Sequence, residues 1–313
     1  MATSNESPRA TGVYAALLTP RRPQTIEADA AALLDYLDAI VQAGVDGLVL
    51  FGSTGEFIHF DSAERNRVLA LAIRRSRVPV LVNVSHSTLA GAVGLAEGAV
   101  AAGAAGLLLM PPYFYRYNDE QIAAFYSAFA KELRGKAALY LYNLPMFTNP
   151  IPPAVVEEFL RSGAFAGIKD STFDWLCFER LTTLRAHLDF SLLVGNEALY
   201  LRGRLAGADG IVSGVAAAIP ELLVAVEQAI RASDLDRAQR LNARLEEFLV
   251  YVNKFPATAA IKHAATARGW RLGDFAVPFD AHTQQEFTIF QRWLDEWLPN
   301  ILSECTQARA MRT

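Results

Sequence analysis

The sequence predicts a closed (β/α)8 barrel followed by a C-terminal helical extension, and three observations carry that reading. At four places a helix-like stretch ends in Ala-Gly or Ser-Gly and a short apolar run begins two or three residues later: Ala43-Gly44 before Gly47, Ala102-Gly103 before Gly106, Ser162-Gly163 before Gly167, and Ala206-Gly207 before Gly210. Glycine just past a helix end closes it in the left-handed conformation, and a continuous apolar run suits a strand buried on both faces. The same alternation continued along the chain yields eight strand-plus-helix units, and a length of 313 residues accommodates one barrel of about 250 residues with appended helices.

Residues 1–10 are small and polar and read as a loose tail. Continuous apolar runs then place strands near 13–18, 46–51, 79–84, 106–110, 138–142, 166–169, 191–195 and 210–213. Helical periodicity fills the intervals at 27–43, 62–76, 88–102, 119–133, 152–161, 174–187, 198–206 and 220–231. Eight parallel βα units with crossovers of this length favour a closed TIM barrel, residues 11–231, over an open doubly wound sheet. Beyond it, Leu235, Ala238, Leu241, Leu245, Phe248 and Leu249 recur at helical spacing, and 256–268 and 282–298 also read as helical, so 232–313 forms the extension. No Pro/Gly/Ser-rich linker separates the two.

With 52% hydrophobic and 20% charged residues the chain has material for a sizeable core and too little charge for disorder. A formal net charge of -4 lacks the basic footprint of a nucleic-acid binder. The amino terminus lacks the basic start and apolar stretch of a secretory signal, and no uncharged apolar run is long enough to span a bilayer, so a cytoplasmic location with no membrane partner is expected. Cys177 and Cys305 are far apart and the five histidines show no ligand spacing, so neither a disulfide framework nor a metal site is expected.

In a barrel of this kind the site lies at the carboxyl ends of the strands and in the loops that follow. Of five lysines, Lys131 and Lys136 sit at a polar helix end and a turn, and Lys254 and Lys262 lie in the C-terminal segment. Lys169 ends the apolar run Ala166-Gly167-Ile168, so its stem is walled by barrel residues and its amine is at the mouth. A partly desolvated amine there can attack a ketone, or it can pair with Asp170 or another carboxylate. Tyr142 ends the preceding strand and faces the same way, either as a phenol that shuttles protons or as a core tyrosine; Tyr140 reads as packing. After the second strand, Phe51-Gly52-Ser53-Thr54-Gly55-Glu56 offers backbone N–H groups and two hydroxyls to one anion. The Gly-Lys-Ser/Thr ending of a phosphate loop is absent, which makes a carboxylate the better-sized guest.

Together these elements resemble the dihydrodipicolinate synthase / N-acetylneuraminate lyase superfamily of class I pyruvate-dependent aldolases. The likeness covers nearly the whole chain and is carried by Gly52-Ser53-Thr54-Gly55-Glu56, Pro111-Pro112-Tyr113, Tyr142-Asn143-Leu144-Pro145, Gly167-Ile168-Lys169-Asp170, Gly195-Asn196-Glu197 and Gly210-Ile211-Val212-Ser213. The resemblance implies that Lys169 forms an imine with pyruvate or another 2-keto acid and that Tyr142 shuttles protons. It also implies that Gly52, Ser53 and Thr54 hold the keto acid's carboxylate, with Ser53 relaying protons to Tyr142. No cofactor is implied, and a homotetramer built from tight dimers is.

Two departures bear on the substrate. Where the synthase carries an arginine two residues past its Tyr-Asn-x-Pro motif, this chain has Phe147, and where the synthase has adjacent tyrosines it has Tyr113-Phe114-Tyr115. Phe114 takes the place of the tyrosine lent across the dimer interface, with Tyr113 or Tyr115 as substitutes. The Gly-Ser-Thr-Gly-Glu and Gly-Ile-Lys-Asp-Ser forms resemble lyases of sialic acids, 2-keto-3-deoxy sugar acids and 4-hydroxy-2-oxo acids. Met146, Phe147 and Phe173 suggest a less polar distal pocket, and Thr19, Asn83, Ser85, His86, Glu197, Val212 and Ser213 complete the expected face. The alternatives are the synthase itself, a 2-keto-3-deoxy acid dehydratase working through the same imine, and a non-catalytic keto-acid-binding barrel.

Overall fold

The computed structural model describes residues 9–256 and 258–306. Eight parallel strands close on one another in chain order. They are β1 (Gly12–Ala16), β2 (Gly47–Leu50), β3 (Val80–Asn83), β4 (Gly106–Leu109), β5 (Leu139–Asn143), β6 (Gly167–Asp170), β7 (Ser191–Val194) and β8 (Gly210–Ser213). Around them run α1 (Ala30–Gln42), α2 (Ser62–Arg75), α3 (Leu89–Ala102), α4 (Asp119–Glu132), α5 (Pro153–Arg161), α6 (Trp175–Arg185), α7 (Tyr200–Leu205) and α8 (Pro220–Arg231). Each strand position of β2 through β8 is buried, as continuous apolar runs require in a sheet covered on both faces.

The four glycines at the helix-to-strand joints, Gly44, Gly103, Gly163 and Gly207, all have left-handed φ, between 68° and 102°. A side chain there would meet its own carbonyl, which is why the joint takes glycine. At the other helix ends the signals are polar. Asp29, Asp61, Thr88, Asp174 and Asp234 accept a backbone N–H in the first turn, and Asn118 forms a reciprocal capping box with Gln121.

The amino end of the barrel is plugged. A Cβ on Gly47 would lie 2.2 Å from the Tyr14 ring, and Cβ atoms on Gly106 and Gly167 would lie 2.7 and 2.9 Å from the Tyr140 ring. Strand-initial glycines therefore leave the room that two buried phenols fill. The Tyr140 hydroxyl accepts from the Ala10 N–H at 3.3 Å, and Ala10 is buried. Of the expected tail, residues 1–8 lie outside the described residues, but Ala10 is held against the barrel floor and is not loose: the hydrogen bond and its small apolar side chain secure it.

The extension consists of α9 (Leu235–Val252), α10 (Ala259–Ala267) and α11 (Ala281–Thr306). One apolar cluster runs without a break from the barrel into these helices through Leu241, Leu245, Phe248, Ile261, Phe290 and Ile301. Helix α11 continues past Pro299, eight residues beyond the reach expected from periodicity, because Ile301 and Cys305 are buried on the side that meets α8.

A buried ion network ties the lower rim. The Glu227 carboxylate accepts from Arg204 at 2.8 and 2.9 Å, from Tyr200 at 2.6 Å and from Arg231 at 2.9 Å. Burial pushes its carboxyl up, yet the hydrogen bonds and charges of these partners hold it below the usual carboxylate range. A carboxyl depressed in the fold adds stability above its unfolded pKa and loses it as pH falls through the folded value. Glu227→Ala should therefore cost about 3 kcal/mol at neutral pH by urea denaturation, because it takes the carboxylate from the half-buried Arg204 and the acceptor from the buried Tyr200 hydroxyl, and the deficit should shrink as pH falls below the ordinary carboxylate range.

Candidate active site

Parallel pairing of β5 with β6 sets Tyr142 beside Lys169 in register. Both lie in the last two residues of their strands, where the barrel opens. The Lys169 Nζ sits 4.0 Å from the centre of the Tyr142 ring, and only 3% of the residue is exposed. The Tyr142 hydroxyl lies 3.1 Å from Ser53 Oγ, which comes from the turn after β2 on the far side of the mouth. An amine, a phenol and an alcohol are thus aligned within one small molecule's reach.

The residues around this line fix it. A Cβ on Gly195 would fall 3.0 Å from Lys169 Cε, 2.9 Å from the Asp170 carbonyl and 2.1 Å from Ser171 Oγ, so the glycine after β7 leaves space that the lysine stem occupies. Asp170 turns away from Lys169. Its carboxylate accepts from Asn143 Nδ2 at 2.8 Å, Thr172 Oγ1 at 2.6 Å and Thr172 N at 3.1 Å. Asn143 Oδ1 in turn accepts from Ile151 N at 3.1 Å, which anchors the loop after β5. Burial pushes the Asp170 carboxyl up, opposed by these hydrogen bonds. A raised carboxyl favours the fold below the unfolded carboxylate range and loses that contribution as pH rises through its folded value.

On the cradle, Glu56 N donates to Ser53 O at 3.0 Å, and Thr19 Oγ1 donates to Gly55 O at 2.8 Å. Thr54 is buried against Gly214, where a Cβ would approach its Oγ1 to 2.9 Å. Gly52 leaves its surroundings open, with Val49 Cγ1 3.8 Å from its would-be Cβ. Asn83 Nδ2 donates to the Phe51 carbonyl at 2.7 Å, and Ser85 Oγ accepts from Met110 N at 2.8 Å, so both residues brace strand ends. Glu197 accepts from Ser213 Oγ at 2.7 Å and Val215 N at 3.0 Å and shapes the loop after β8, next to the buried Val212.

Other expected residues stand apart. His86 Nδ1 accepts from Thr88 N at 3.1 Å, closing the loop before α3. Tyr113 turns toward Phe57, with ring centres 5.7 Å apart, while Phe114 and Tyr115 lean on each other and are 88% and 65% exposed. Met146, Phe147 and Phe173 are all more than half exposed on the loops after β5 and β6. Among the described residues no three His, Cys, Asp or Glu side chains are grouped as for a metal ion.

Two supports escaped sequence reasoning. Arg65 is buried and donates to the carbonyls of Asn83 at 2.6 Å and Ser85 at 3.2 Å, bridging α2 to the loop after β3. Asn149 donates to the carbonyls of Pro112 at 2.7 Å and Tyr115 at 2.9 Å and accepts from Tyr117 N at 3.1 Å, ordering the loop after β4. Periodicity marks neither residue; only the flanking Pro150 and Thr148 hint at a structured turn around Asn149.

Comparison with known proteins agrees with this geometry. A model of the Dihydrodipicolinate synthetase family matches residues 9–296. The chain belongs to that family. A 4-hydroxy-tetrahydrodipicolinate synthase of Methanoculleus marisnigri is 30% identical over 86% of this chain and 93% of its own length. A probable 2-dehydro-3-deoxy-D-pentonate aldolase of Escherichia coli is also 30% identical, over 80% of this chain and 85% of its own. The crystal structure of YagE, a prophage protein of the dihydrodipicolinic acid synthase family from Escherichia coli K12 in complex with pyruvate, superimposes with a TM-score of 0.84 at 25% identity, covering 91% of this chain and 98% of that one. As a member of the dihydrodipicolinate synthetase family, the chain is a pyruvate-dependent lyase.

Gly195→Ala should displace the Lys169 stem and lower the rate of pyruvate turnover about 100-fold. Steady-state kinetics beside a far-ultraviolet circular dichroism spectrum, expected unchanged, checks this.

Proposed function

We propose that the protein is an aldolase in which Lys169 forms a Schiff base with pyruvate or a 2-keto acid derived from it. The alignment of Lys169 Nζ, the Tyr142 phenol and Ser53 Oγ at the barrel mouth carries the reading. In the proposed course the Lys169 amine attacks the keto carbon, and Tyr142 gives a proton to the carbinolamine hydroxyl, which leaves as water. The iminium then accepts the electron pair of the breaking carbon–carbon bond while the Tyr142 phenolate takes the proton of the substrate's 4-hydroxyl. The aldehyde departs, and the enamine is protonated and hydrolysed to pyruvate and free lysine. Ser53 passes protons between Tyr142 and the bound acid, and Ser53 and Thr54 hold its carboxylate. The imine serves as electron sink, so no cofactor or metal enters.

The substrate we favour is a 2-keto-3-deoxy sugar acid, an N-acetylneuraminate-like acid or a 4-hydroxy-2-oxo acid. Phe147 stands where a synthase would present arginine to a second carboxylate, and a phenyl ring cannot pair with that charge. Relatives named as synthase and as pentonate aldolase are equally similar, so it is Phe147 that supports the aldolase reading. Among the described residues no helix is long and apolar enough to cross a membrane. We place the enzyme in the cytoplasm as a homotetramer, in keeping with the family resemblance.

Incubation with pyruvate and sodium borohydride should add a reduced pyruvyl group irreversibly to the peptide carrying Lys169. No adduct in the wild type, or an undiminished one in Lys169→Ala, would overturn the assignment. Tyr142→Phe should keep the fold and lower cleavage of 2-keto-3-deoxy acids by about 10²–10⁴-fold, read as pyruvate release across a substrate panel.

A further inference from the structure

A second set of buried charges lies beside the cradle and has no part in the chemistry above. Arg21, in the loop after β1, and Lys262, on α10, have side chains only 3% and 2% exposed. Both face the carboxylate of Glu56, whose Oε2 is 3.7 Å from Arg21 Nη2 and 3.9 Å from Lys262 Nζ. That oxygen is buried and accepts no hydrogen bond. A carboxylate so placed is held by the charge of the two cations, because an unpaired one would not be tolerated away from water. The third neighbour is neutral on the side it presents: Arg21 Nη2 can only donate, so His59 Nδ1, 2.7 Å away, accepts.

Glu56 has an unusual backbone. Its φ of 52° and ψ of 38° are left-handed, a conformation that side chains such as glutamate adopt only when their surroundings impose it. Because Glu56 N donates to Ser53 O, this conformation closes the turn that displays Ser53 and Thr54. Ile261 of α10 and Thr54 of the turn both border Gly214, their Cδ1 and Oγ1 lying 3.0 and 2.9 Å from its would-be Cβ. The cations are themselves fixed by the segment after α10, where Leu272 O accepts from Arg21 N at 3.1 Å and Asp274 O accepts from Lys262 Nζ at 2.6 Å.

We propose that Lys262 and Arg21 are positioning residues: by clamping Glu56 they set the Ser53–Glu56 turn in the shape that receives the keto acid's carboxylate. The C-terminal extension is thereby a part of the binding machinery. This rests on the assignment of Ser53 and Thr54 to that carboxylate.

The test is borohydride trapping of pyruvate by wild type, Lys262→Met, Glu56→Gln and the double variant, each titrated with pyruvate and accompanied by a thermal melt. Lys262→Met should raise the pyruvate concentration for half-maximal trapping about tenfold while the adduct at saturation stays complete. The double variant should be no worse than the poorer single one, since both break the same ion pair. A half-saturation within about twofold of wild type, whatever the melting temperature, overturns the proposal, as do effects that multiply in the double variant. If Lys262→Met does not fold, Glu56→Gln is held to the same limits. Absence of any adduct in the wild type would instead overturn the Schiff-base assignment.

Discussion

A strand in a closed barrel is covered on both faces, and everything else in this protein follows from where that cover ends. Along β5 and β6, apart from Tyr140, whose hydroxyl meets Ala10 at the floor, the polar side chains wait for the last positions, where Tyr142, Asn143, Lys169 and Asp170 come in neighbouring pairs. Their shared register settles their separation before any side chain is chosen. Asn143 and Asp170 bond to each other, which leaves the Lys169 amine and the Tyr142 phenol to face the interior without a carboxylate between them.

Much of this was legible in the sequence. The Ala-Gly and Ser-Gly joints announce the barrel because a left-handed helix end and a doubly buried strand both leave local marks, and Gly44, Gly103, Gly163 and Gly207 all have the expected φ. The same logic put Lys169 and Tyr142 at neighbouring strand ends, where the register sets them side by side, and marked Ser53 in the turn after β2. What could not be read are contacts between residues distant in the chain. Lys262 looked like an ordinary lysine of the extension, and nothing local ties it to Glu56, 206 positions earlier. Arg65 and Asn149 act on carbonyl groups, which every residue has, so their partners leave no trace in the sequence. The periodicity carried the last helix only to 298, and burial of Ile301 and Cys305 continues it beyond Pro299.

Two kinds of electrostatic design coexist in the molecule. At the lower rim Glu227 is fully hydrogen-bonded to Tyr200, Arg204 and Arg231, an arrangement that resists opening and joins α7 to α8. At the upper rim Glu56 is held at longer range, with one oxygen free of hydrogen bonds. The first suits a foundation, and the second suits the part proposed here for the turn that carries Ser53 and Thr54.

The two phenols that fill the barrel floor, Tyr14 and Tyr140, make the cavity a cul-de-sac. Among the described residues the end of the barrel that Lys169 faces is the one these rings leave uncovered. On the proposed chemistry, an acid joined to that amine becomes the back wall for its aldehyde partner, so the acid enters first and leaves last.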